Sequence, residues 1–164
     1  MHKLIVAAGG ATAAIAFTAL APSAVAQETT AWTCQDFGQT QPEPLGDREG
    51  HSVVVAEFSC HLESGPLAGG VATGTAIWEG DGPKLAMLAG SGVVRKPGAT
   101  VVWNAAEAKL AFTLAEGKVT GWTVSGKGAW VLATGGWASM AGKPFTWTGK
   151  SIGPVQYSFE TKSE

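Results

Sequence analysis

Charge is scarce in this 164-residue chain: Asp, Glu, Lys and Arg make up 15% of it, against ~25% in ordinary soluble domains. The 11 basic residues do not exceed the 13 acidic ones, and a net charge of −2 excludes the basic footprint that nucleic-acid binding requires. Cysteine is limited to Cys34 and Cys60. Two lone cysteines lack the paired Cys-x-x-Cys spacing of a tetrahedral zinc site, so no metal is expected. Catalytic signatures are missing as well. There is no Gly-x-Ser-x-Gly, no His-Glu-x-x-His and no glycine-rich phosphate loop ahead of a predicted helix, and no cofactor is expected. Gly90-Ser91-Gly92 lies inside a strand pattern and reads as a kink. Glycine, by contrast, is plentiful. It fills 23 positions, about twice the usual share, and its lack of a period excludes collagen. Seven tryptophans exclude a disordered chain, because burying that much aromatic surface offsets the entropy of ordering.

The N-terminal segment has the layout of a secretory signal. Lys3 precedes an apolar, alanine-rich run from Leu4 to Leu20, then Pro22 and the small triplet Ala24-Val25-Ala26, with cleavage predicted after Ala26. A membrane anchor is the alternative, since the run approaches spanning length; its alanine content and the Ala-x-Ala site favour removal. No cysteine follows the site and no Arg pair precedes the run, so general secretion is expected rather than lipoprotein or twin-arginine export. The expected organisation is a signal over 1–26 and a single domain over 27–164, periplasmic or secreted, with no membrane association once cleaved. In that oxidising setting Cys34 and Cys60 are expected to pair. The bridge would close a loop of about 25 residues, worth roughly 3 kcal/mol in the chain-entropy model.

Beyond residue 27 the chain reads as short alternating runs separated by turn signals, the pattern of an all-β antiparallel meander. Val54, Ala56, Phe58, Cys60 and Leu62 form one apolar face, while Val53, Val55, Glu57, Ser59 and His61 form the mixed one. About ten strands are predicted, starting with 29–37, 53–62 and 71–79 and continuing through 85–94, 100–104, 109–115, 118–125, 128–134, 144–150 and 155–161. Lys96-Pro97-Gly98-Ala99 fits a type II turn, and Glu116-Gly117 a tight hairpin. Connections this short pair successive strands antiparallel; the exception is the long loop 38–50. Residues 104–115 are rich in helix formers, but the alternation of Leu110, Phe112 and Leu114 favours a strand. Glycines within strands, beside Trp78, Trp122, Trp130 and Trp147, point to strongly bent strands whose bare backbone is covered by aromatics. A closed meander of about eight to ten strands also removes edges that so uncharged a sheet would expose.

From Gly126 to Gly149 the chain runs Gly-Lys-Gly-Ala-Trp, an apolar strand, Thr134-Gly135-Gly136, then Gly142 and a closing Phe-Thr-Trp-Thr-Gly strand. This resembles the C-terminal part of bacterial allene oxide cyclase-like proteins, which have lipocalin-shaped barrels. The resemblance covers about 24 residues and implies the fold. Trp137-Ala138-Ser139-Met140-Ala141 departs from the expected Gly-x-Phe or Gly-x-Tyr turn, and no catalytic residue carries over.

The densest polar group runs from Asp47 to Glu63, and by odd numbering His51, Glu57, His61 and Glu63 share one strand face. If that face lines the interior, Glu57 and His61 are the candidate general base and acid of an isomerase-like or cyclase-like enzyme; the uniformly apolar opposite face argues that they lie outside. Trp78, Trp122, Trp130, Trp137 and Trp147 are the candidate ligand-binding residues, since barrel mouths recur as sites for flat apolar molecules. The favoured function is non-catalytic binding of a small apolar or aromatic ligand, or a role in the bacterial envelope. A homo-oligomer is the third expectation, because so few charges are left for the outer wall.

Overall fold

The structure is a computed structural model that describes residues 28–37 and 41–163; the expected signal segment lies outside them. Among the described residues nine strands follow in order: β1 (Glu28–Phe37), β2 (Glu43–Pro44), β3 (His51–Leu62), β4 (Val71–Asp81), β5 (Lys84–Lys96), β6 (Ala99–Ala115), β7 (Lys118–Gly135), β8 (Pro144–Ser151) and β9 (Gln156–Ser163). A 3-10 turn at Ala138–Met140 precedes β8. Every pairing is antiparallel, and sequential neighbours pair from β3 to β9. β1 pairs with both β9 and β3, which closes eight strands into a ring, while β2 only extends β3 at its start.

The expected all-β meander is what the chain forms, with longer strands than the alternation indicated. Runs 100–104 and 109–115 merge into β6, and 118–125 and 128–134 into β7. The helix formers at 104–115 yield to the sheet because both neighbouring strands offer them hydrogen-bonding partners. Where β6 would otherwise break, Ala106 forms a bulge between the Ala105 and Glu107 pairings with β7. At the β6–β7 hairpin Glu116 and Gly117 both take positive φ, 51° and 75°, as the predicted tight turn requires.

Strand tilt follows from the register. Paired residues lead from His51 through Asp81, Lys84, Ala111, Thr123, Lys150, Ser158 and Thr33 back to His61, ten residues further along β3. Such a stagger over eight strands gives a strongly tilted barrel whose interior is filled by side chains or holds one small ligand.

Alternation places Val54, Phe58, Cys60 and Leu62 of β3 in the core, joined from every other long strand by a buried cluster that includes Trp32, Trp78, Trp103, Trp130 and Trp147. Cys34 and Cys60 face each other across β1 and β3 and form the expected disulfide. Leu67, Trp137 and Met140 join the core from the turn regions at one end. At the opposite end the hairpin residues Leu114, Val119, Ile152 and Val155 are exposed.

Candidate functional site: an aromatic cavity behind a bulged wall

Inward alternation on seven strands brings Trp32, Phe58, Ala76, Met87, Trp103, Phe145, Trp147, Phe159 and Thr161 around an apolar cavity of about 50 Å³. The rings interlock: Phe58 stacks on Trp103 with centroids 6.1 Å apart, and Trp147 meets Phe159 edge-on at 5.2 Å. Glycine makes room for this. A Cβ on Gly74 or Gly92 would fall 2.7 or 2.6 Å from Cζ2 of Trp103, so the indole lies against bare backbone.

The indoles differ in how their N–H groups are satisfied. Trp32 Nε1 donates to Thr161 Oγ1 at 3.1 Å, Trp130 Nε1 to Ser163 Oγ at 3.0 Å, and Trp137 Nε1 to the Pro66 carbonyl at 3.0 Å. Among the described residues, Nε1 of Trp103 and of Trp147 are buried without a hydrogen-bond partner, each residue being only 8% exposed. Native interiors rarely leave such donors unpaired, because an unmade hydrogen bond there costs about 1–3 kcal/mol.

The wall beside the cavity is unzipped. β5 and β6 pair at Ala86 with Lys109 and again at Gly90 with Ala105, but not between. On β5 the register with β4 shifts past Trp78, leaving Leu88 unpaired and 59% exposed; on β6 Ala106 is the bulge. Outside this seam lies a depression of about 580 Å³ whose rim carries the exposed Glu107–Lys127 ion pair at 2.9 Å. Met87 and Trp147 line both the depression and the inner cavity. A larger groove of about 1000 Å³ crosses β4 to β9, with walls that include the exposed Asp81, Lys84, Lys109, Lys150 and Glu160.

The structure places the sequence candidates unevenly. Glu57 and His61 are exposed, their odd-numbered face being the outer wall while Phe58, Cys60 and Leu62 fill the inside. The proton-transfer pair required an enclosed space common to both, and neither residue reaches one. Of the five tryptophans, Trp147 alone lines the cavity. Trp78 and Trp130 are packed in the core, and Trp122 is half-buried against Tyr157 with centroids 5.1 Å apart. Trp137, expected on a turn, does begin one yet is buried, with the Lys96 ammonium 4.6 Å above its ring. Trp32 and Trp103 were missed. The signal for Trp32 was its two-residue spacing from Cys34, and for Trp103 its spacing from Val101, since side chains two apart share a strand face.

His51 departs from its odd-numbered companions. It is buried by the loop that precedes it, with Nδ1 2.5 Å from Asp47 Oδ1 and Nε2 2.8 Å from Glu79 Oε1. Hydrogen bonds to Asp47 and Glu79 raise its pKa, and the bond to His51 lowers that of Asp47. Arg48 completes the corner through Asp81, Nε to Oδ1 at 2.9 Å. The corner pins the loop to β4, and among the described residues no group of three or more His, Cys, Asp or Glu is arranged to hold a metal. The chain matches no protein-family model, and comparison with curated proteins and with solved structures returns no match.

Proposed function

We propose that this is an exported, non-catalytic protein that binds a small apolar or aromatic molecule inside its barrel. The observation that carries the reading is the cavity itself: its lining is aromatic or aliphatic apart from Thr161, whose hydroxyl is engaged by Trp32. At about 50 Å³ the cavity is smaller than the ~150 Å³ that admits a benzene-sized guest, so binding requires the lining to move, and the flexible thioether of Met87 is the lining side chain best suited to give way. Export is supported by the signal-like N-terminus and by the Cys34–Cys60 bridge, which belongs to an oxidising compartment. The likeness of residues 126–149 to allene oxide cyclase-like proteins contributes a barrel expectation and no active-site residue.

Titration with toluene or naphthalene tests the reading. Binding should shift tryptophan emission, and Ala76→Leu, which fills the cavity, should abolish the response. An unresponsive native protein, or an Ala76→Leu variant that binds as well as the native one, sinks it. Self-association is the second reading, favoured by the exposed Leu114, Val119, Ile152 and Val155 at one end of the barrel. Sedimentation showing only monomer at micromolar concentration would exclude it.

A further inference from the structure

The binding reading leaves the chemistry of the guest open, and the two unpaired indoles narrow it. Trp103 and Trp147 both line the cavity, and both keep a buried N–H without an acceptor. A purely hydrocarbon guest would leave both donors unmade, whereas a guest oxygen within reach of either would give it an acceptor, a net gain of about 1 kcal/mol. The acceptor must be neutral. No charged residue lines the cavity, and a carboxylate there would be desolvated without a counterion.

Position agrees with this. The Trp147 Nε1 lies against β7, 2.7 Å from where a Cβ of Gly126 would stand, and Gly126 lines the outer depression. Met87 lines both spaces, its sulfur 2.8 Å from the corresponding point on Gly90. It is the flexible side chain common to both linings, so its displacement is the change by which a cavity of about 50 Å³ would gain room for a guest.

Resting on the interior-binding reading, we infer that the ligand is a neutral carbonyl-bearing aromatic or alicyclic compound. Its oxygen accepts from the indole N–H of Trp103 or Trp147, and it enters through the β5–β6 seam past Met87.

The test uses two probes of nearly equal shape, acetophenone and α-methylstyrene, in which a carbonyl oxygen replaces a methylene. Both are titrated into ¹⁵N-labelled protein while the indole N–H resonances are followed. Acetophenone is expected to bind about fivefold more tightly, the ratio that one net neutral hydrogen bond provides, and to move the Trp103 or Trp147 resonance downfield. Trp103→Phe and Trp147→Phe are then compared by the ratio of the two affinities, so that a general loss of packing cancels. Binding of α-methylstyrene by these variants shows that the site persists. The preference should collapse towards unity in at least one of them. Equal affinity of the native protein for the two probes, or indole resonances that do not move, overturns the carbonyl inference while leaving interior binding in place. If neither probe binds, interior binding and this inference fall together.

Discussion

Trp103 lies across the backbone of Gly74: a methyl group added to that glycine would meet Cζ2 of the indole at 2.7 Å. Gly74 pairs with Gly92 on β5, and Gly92 with Trp103 on β6, so a small-small-large row crosses three adjacent strands. Gly74→Ala should therefore destabilise the fold by about 1–3 kcal/mol, the range for overpacking a filled core. Urea denaturation measures it, and a double-mutant cycle with Trp103→Phe should show coupling between the two positions. Independent, additive effects would refute the assignment of this contact.

The Cys34–Cys60 bridge ties β1 to β3, the pairing that closes the ring. Replacing both cysteines by alanine should lower stability by roughly 3 kcal/mol, as expected for a loop of this length. Intact mass with and without reduction reports the bond in the exported protein, and equilibrium denaturation reports its contribution.

The His51 corner makes stability depend on pH with a definite sign. The folded pKa of His51 is raised above its ordinary 6.5, so its stabilising bonds to Asp47 and Glu79 are fully present below about 6.5 and weaken as pH rises through the raised value. Asp47 is lowered from 3.8, so its contribution is present above about 3.8 and is lost as pH falls through the lowered value. The corner should hold best between these limits. Thermal melts from pH 5 to 9 should show the native protein losing ground relative to His51→Gln; parallel curves would refute the linkage.

Glu57→Gln and His61→Ala should leave stability within about 0.5 kcal/mol of the native value, because both side chains sit on the outer wall. They should also leave ligand affinity unchanged. A substantial loss of binding in either variant would return these residues to the functional site.

Alternation along the chain was enough to establish the all-β class and the apolar face of β3, and the Lys96-Pro97-Gly98-Ala99 and Glu116-Gly117 signals located their turns; which face of β3 lines the interior was decided by the structure. These are local properties, since a period of two and a positive φ are set within a few residues. The pairing of Cys34 with Cys60 was legible because two cysteines in one chain allow only one bridge. Tertiary structure alone decided which tryptophans surround the cavity, for Trp32, Trp103 and Trp147 come from three different strands and meet only through the ten-residue stagger that closes the ring. It alone decided that His51 is buried and His61 exposed, although both lie on the same strand with the same parity: one is covered by a loop and the other is not. The unpaired indoles have no local signature either. Whether a donor finds an acceptor depends on side chains that arrive from elsewhere in the chain, and the bulges at Leu88 and Ala106 that loosen the wall arise from the mismatch between paired strands.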